Sequence, residues 1–157
     1  IFGKNFPEGI LIYNNENEHA LYANDSFKKI YEFDEEEYLK MSMNGRKNWI
    51  ETYVHSDDRV LEYEYYKNKS WPNKREIKIL VSSGKTKWIE VKRIEKKIWG
   101  QSCSLSIVSD ITDIKMKEIK AKNKLLDIAQ ILKNNNVKLD IIIKAVGLTE
   151  NEINRIS

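Results

Sequence analysis

Residues 102–133 constrain the chain more than any other stretch, because a two-residue period gives way there to a helical one with no loop between them. Cys103, Leu105 and Ile107 alternate with Ser102, Ser104 and Ser106, the mark of a half-buried strand, and the apolar three are expected on its inner face. After Ser109-Asp110-Ile111-Thr112-Asp113 the period changes. Ile111, Ile114, Ala121, Leu125, Ile128 and Leu132 recur at spacings of three and four, or multiples of them, and form a stripe along one helix face. A strand that feeds a helix directly can carry strain out of a domain, which makes this junction the expected output path. Glu118 interrupts the stripe, so a coiled coil of about three heptads competes with a helix that folds back or pairs with the tail.

Upstream, Gly9-Ile10-Leu11-Ile12-Tyr13 and Ala20-Leu21-Tyr22-Ala23 flank the polar cluster Asn14-Asn15-Glu16-Asn17, which predicts two strands joined by a tight turn. Asn24-Asp25-Ser26 offers side-chain acceptors just ahead of Phe27, Ile30 and Tyr31, so one of the three caps a helix. A second helix is expected from Asp34, where Glu35-Glu36-Glu37 favours the positive end of the helix dipole, to about Asn44-Gly45. Between Lys47 and Asn68 a helical pattern is interrupted at residues 54–59, where Ser56 or Asp57 can cap a new helix bearing Val60, Leu61 and Tyr65. From Trp71 the period is two again. Ile77, Ile79 and Val81 mark one strand, residues 82–85 a turn, Trp88 to Ile94 a second strand with Ile89 and Val91 on one face, and Trp99-Gly100 the next turn. Strands, short helices, then a three-strand meander make an α+β fold, an antiparallel sheet covered by helices on one face.

With 157 residues there is room for one domain and an extension, not for two full domains. The chain does not begin with Met and is expected to be a trimmed piece; no signal peptide and no membrane-length apolar run is visible. The 27 basic and 24 acidic side chains nearly balance, which speaks against general nucleic-acid affinity. A single cysteine excludes an internal disulfide and suits a reducing, cytoplasmic setting; two histidines and one cysteine at no ligand spacing give no metal site. There is no phosphate-binding glycine loop, no Ser-His-Asp ordering and no His-Glu zinc motif, so the chain is not read as an enzyme.

Over roughly residues 6–117 the sequence resembles a PAS domain. The resemblance is carried by Gly9-Ile10-Leu11-Ile12, Tyr22-Ala23-Asn24-Asp25-Ser26-Phe27, Val54-His55-Ser56-Asp57-Asp58-Arg59, Ser83-Gly84-Lys85-Thr86-Lys87-Trp88-Ile89 and Asp110-Ile111-Thr112-Asp113-Ile114-Lys115, in the family's order. Ser56 stands where the family often has Pro, and Ser83 where it often has Asp or Glu. The resemblance implies a five-stranded antiparallel sheet with helices on one face, a ligand, cofactor or partner sensed between them, and an Asp-Ile-Thr segment that couples the last strand to a signalling helix. The expected organisation is a PAS sensory domain over 1–117, a linker helix over 118–135 and a short helical tail over 136–157.

Phe27, Tyr31, Trp49 and Tyr53 on the helical side and Ile77, Ile79, Ile89, Val91, Cys103, Leu105 and Ile107 on the sheet are the candidate pocket residues, weighed against plain core packing. Asn24, Asp110 and Thr112 are the candidate coupling residues, Asn24 as a cap tying helix to strand. No cofactor is assigned. Light-sensing members of the family carry their reactive cysteine in an Asn-Cys-Arg context, where this chain has Asn44-Gly45-Arg46, and His19 and His55 read as turn and capping residues rather than haem ligands. Arg46, Lys47, Lys67, Lys69, Lys74 and Arg75, diluted by Glu62, Glu64 and Glu76, read as a solvated surface.

In the tail, Asn134-Asn135-Asn136 breaks the helix, Val137 to Ala145 predicts another, Gly147 ends it, and Thr149 with Glu152 makes a capping box for a last one bearing Ile153 and Ile156. The arrangement resembles a helix-turn-helix, with Ile142, Val146 and Leu148 in its core, and also a short tail found on some transposase-like proteins. Its second helix presents Glu150 and Glu152 where DNA readout needs basic or amide groups, so an interaction or dimerisation tail is preferred. The expected function is a bacterial cytoplasmic sensor, a homodimer that binds a small ligand or partner and signals to a histidine kinase or diguanylate cyclase effector. The alternative is a ligand-responsive transcription regulator whose tail binds DNA.

Overall fold

The computed structural model describes residues 6–43 and 45–156, with residues 45 and 46 described through their backbone alone. The chain divides into two units, one ending at Thr112 and one beginning at Asp113.

In the first unit the strands are β1 (Gly9–Asn14), β2 (His19–Ala23), β3 (Lys74–Leu80), β4 (Thr86–Ile98) and β5 (Gln101–Asp110). They form one antiparallel sheet in the order β2-β1-β5-β4-β3, which is the five-stranded α+β architecture expected. Between β2 and β3 run α1 (Asp25–Tyr31), α2 (Glu35–Met43), α3 (Gly45–Glu51) and α4 (Ser56–Asn68). The stretch Asn44-Gly45-Arg46 lies outside the described residues at Asn44 and at the other two side chains.

Of the three candidate caps ahead of α1, Asn24 does the work. Its Oδ1 accepts the Phe27 amide at 2.9 Å and the Ile10 amide of β1 at 2.8 Å, while its Nδ2 donates to the Glu8 carbonyl at 3.0 Å. One buried side chain therefore caps the helix and ties it to the strand. The contact is close. A Cβ on Gly9 would lie 2.8 Å from the Phe27 Cα, so α1 can approach β1 only over a residue without a side chain. Before α2, Asp34 and Glu37 exchange reciprocal side-chain-to-amide hydrogen bonds of 2.8 and 3.0 Å, a capping-box geometry.

Helix α4 departs from expectation. His55 occupies its N-cap position without a side-chain hydrogen bond, so neither Ser56 nor Asp57 is the cap; they lie within the first turn. Val60 and Leu61 are exposed, and the residue turned inward is Glu62, at 3% exposure. A charge outranks two aliphatics for the buried position because it has buried partners of opposite sign.

In the second unit, α5 (Thr112–Asn134) continues through residue 113 onward, followed by α6 (Leu139–Val146) and α7 (Glu150–Asn154). Only Ile111 separates β5 from α5, as the change of period predicts. Gly147, at φ +67°, closes α6, and Thr149 with Glu152 forms the capping box of α7. The expected stripe meets the tail only at Leu132. Leu126, Ala129 and Leu132 pack with Ile142, Val146, Leu148 and Ile153, while Ile114, Leu125 and Ile128 stay exposed. The helix carries two apolar faces, and the tail takes the one offset from the three-four count that starts at Ile111.

Candidate functional site

The site lies between α1, α3, α4 and the sheet, and the register of β5 decides which side chains face it. Leu11 and Tyr13 of β1 belong to the core with Phe27, and they pair with Ser106 and Ser104; Val108 pairs with Gly9. The inward face of β5 is therefore Ser104, Ser106 and Val108. Cys103, Leu105 and Ile107, expected to point inward, pair instead with Asn14, Ile12 and Ile10 on the opposite face. Alternation supplies the period of a strand but not its phase.

The helical wall is aromatic. Phe27, Tyr31 and Trp49 meet with ring centroids 4.8 to 5.7 Å apart, in tilted and edge-on arrangements, and Phe33 stacks on Tyr31 at 5.3 Å. Burial, helped by Tyr53, raises the Tyr31 phenol far above its ordinary value, so it is neutral at any physiological pH. Phe27, Tyr31 and Trp49, with Ile50, Tyr53, Leu11, Tyr13, Val91 and Val108, line a half-open cavity of about 50 Å³. Pockets for drug-sized ligands are roughly 300 Å³ or more, so this space suits only a few heavy atoms as it stands.

Its polar wall is built by partners distant in sequence. Glu62 receives Arg75 Nη1 at 2.6 Å on one carboxylate oxygen and Arg93 Nη1 at 2.9 Å on the other. Arg75 also reaches Asp58 at 3.1 Å. Arg75 and Glu62, expected as a solvated surface, are thus partners, Glu62 buried and Arg75 largely so, and Arg93 joins them from outside the expected site. A signal was available: Arg75 continues the inward row of Ile77 and Ile79, and Arg93 that of Ile89 and Val91. Desolvation works against the Arg93 charge, and the Glu62 carboxylate more than offsets it, leaving its pKa above the ordinary value. Two donors on the cavity wall have no hydrogen-bond partner, Trp49 Nε1 and Arg93 Nε.

Of the candidate pocket residues, the structure brings Phe27, Tyr31, Trp49, Tyr53 and Val91 to the cavity. Ile77 lines a smaller hollow behind it, Ile79 and Ile89 are fully buried in the adjoining core, and Cys103, Leu105 and Ile107 are elsewhere. At the junction, Thr112 Oγ1 donates to Asp110 Oδ1 at 2.6 Å and accepts the Trp88 amide of β4 at 3.0 Å. The Ile111 amide donates to the Trp88 carbonyl at 2.9 Å. Lys87 bridges the Ile30 carbonyl and Glu32, at 2.9 and 3.1 Å, with Asp110 at 4.0 Å. The end of β5 is thereby fastened to the start of β4 and the end of α1. Among the described residues no group of metal-ligating side chains is assembled, and no helix is long and apolar enough to cross a membrane.

The sequence matches no family model and no curated protein. Solved structures do match. A sensory-box histidine kinase/response regulator from Burkholderia thailandensis superposes with a TM-score of 0.60 at 17% identity, over 79% of this chain and 92% of that one. A PAS domain from Desulfitobacterium hafniense gives 0.52 at 18%, over 69% and 97%. The N-terminal domain of a diguanylate cyclase with a PAS/PAC sensor from Marinobacter aquaeolei gives 0.53 at 13%, over 67% and 95%. The sheet and its helices have the PAS fold.

Proposed function

We propose that this chain is a cytoplasmic sensory module. It binds a small ligand or partner at the cavity and passes the change through Asp110-Ile111-Thr112 to α5, and from there to an effector of the histidine kinase or diguanylate cyclase type. One observation carries the reading. β5 supplies Ser104, Ser106 and Val108 to the cavity wall and becomes α5 after a single residue, so a shift of its inner face is delivered directly to the helix. The similar folds in a histidine kinase/response regulator and a diguanylate cyclase support the choice of effector. The exposed Ile114, Leu125 and Ile128 support a homodimer formed along α5, since a second copy would cover them. The DNA-binding alternative is less well supported, because α7 is five residues long with Glu150 and Glu152 in its first turn.

Hydrogen exchange tests the coupling. Ser106→Leu places a larger side chain where the cavity is, and protection of the α5 amides is expected to change while the sheet amides keep theirs. An intact sheet with α5 protection identical to wild type would sink the proposal. Mass spectrometry and an absorption spectrum of the purified chain then identify any compound that it retains.

A further inference from the structure

Resting on the ligand-sensing reading above, we propose that the cavity selects a compact oxygen acceptor, a carboxylate or carbonyl compound of about four heavy atoms, held by the Trp49 and Arg93 N–H groups. The selection follows from a count of donors and acceptors. Trp49 is 8% exposed, and its Nε1–H faces no acceptor. Arg93 spends Nη1 on Glu62 and lies over the Trp71 ring at 5.4 Å, but its Nε–H has no partner. The charged acceptor of the same wall is already engaged. Both Glu62 oxygens hold an arginine, and the Ser104 hydroxyl gives its proton to Asn15 or Glu95. Orphaned buried donors are costly, and an oxygen with two lone pairs, placed between them, relieves both at once.

Charge does not make the selection. Glu62 and Asp58 balance Arg75 and Arg93, so the cluster is neutral and imposes no need for an anion. Size does limit it, since about 50 Å³ admits an acetate or acetone but not an aromatic ligand. An ammonium ion is disfavoured, because it would leave both N–H groups unmet.

The test is a titration of the full chain, ¹⁵N-labelled, with sodium acetate, acetone and methylammonium chloride, at matched ionic strength for the salts. It follows the Trp49 indole and Arg93 Nε–H signals. A saturable shift of both signals with acetate or acetone, and none with methylammonium, is the expected result; which of the two acceptors binds tells whether the ligand is charged. Trp49→Phe keeps an aromatic ring and removes the donor, and is expected to weaken binding by about tenfold, with its melting temperature checking that the fold survives. The inference is overturned by non-saturating shifts with both acceptors, by an equal response to methylammonium, or by undiminished binding to the Phe variant. The sensing proposal has its own failure, an α5 indifferent to Ser106→Leu. A retained compound without an oxygen acceptor would sink the present inference and leave sensing standing.

Discussion

Replacing Glu62 by alanine is the sharpest check on the buried cluster. The side chain is 4% exposed and each of its oxygens holds a different arginine, at 2.6 and 2.9 Å. Its removal strands two guanidiniums in a desolvated wall. Breaking a buried pair in this way costs about 3–5 kcal/mol, a large part of the roughly 5–15 kcal/mol that holds a domain folded. For a unit of this size 1 kcal/mol corresponds to about 4 °C in the melting temperature, so a fall of about 12–20 °C is expected. All four tryptophans, Trp49, Trp71, Trp88 and Trp99, lie in the first unit, and their fluorescence follows that unit's melting without interference from the tail. Glu64→Ala, on the exposed face of the same helix, is the control and should shift the midpoint by about 2 °C or less. Replacing the whole cluster, Glu62→Leu with Arg75→Met, Arg93→Leu and Asp58→Asn, should recover most of the loss, because no charge is then left unpaired. If Glu62→Ala melts with the Glu64 control, the cluster is not buried as described and the reasoning about the polar wall fails with it.

Asn24→Ala should cost about 2–4 kcal/mol in urea unfolding, because the Ile10 and Phe27 amides both lose their acceptor; Asn24→Asp keeps Oδ1 and should cost less than half as much. Thr112→Val removes the acceptor of the Trp88 amide, and that amide should exchange about tenfold faster, with an unchanged rate showing that the junction is not fastened there. In the tail, the hydrogen bond from Lys122 and the contacts with Thr149 lower the Glu152 carboxyl from 4.5 to about 2. A depressed folded pKa means that its stabilisation is complete above pH 4.5 and is lost as pH falls through about 2. The Glu152 and Ile153 amide signals in an acid titration should show a midpoint near the lower value, and Lys122→Met should raise it.

Elements governed by local chemistry were legible from residues alone. The Asn24 cap, the Asn134 break, the Gly147 turn and the Thr149-Glu152 box each need only a few neighbouring side chains, and each stands where it was expected. What was not legible depends on partners distant in sequence. Nothing near Glu62 marks it for burial; Arg75 and Arg93 do, from 13 and 31 residues away. On α5 the spacing reaches Leu132 but not Leu126 and Ala129, which pack with Ile142 and Ile153 of the tail.

The error on β5 is of a more general kind. An alternating strand offers two faces, and hydrophobicity selects between them only when one face meets water. Here neither is fully exposed: Cys103 is completely buried on the face away from the cavity, and Ser104 and Ser106 are buried on the face towards it. The phase is then set by volume and polarity rather than by apolarity. Opposite Ser104 and Ser106, the inward neighbours are Tyr13 and Leu11 on one side and Glu95 and Arg93 on the other, most of them large and two of them charged. Small hydroxyl side chains fit between such neighbours, and leucine and isoleucine would fill the space. The serines are thus what keeps a cavity open beside the one strand that continues into α5. In the proposed function, the space for a ligand and the start of the signal's route then share one strand, and substitution at Ser106 tests whether the two are coupled.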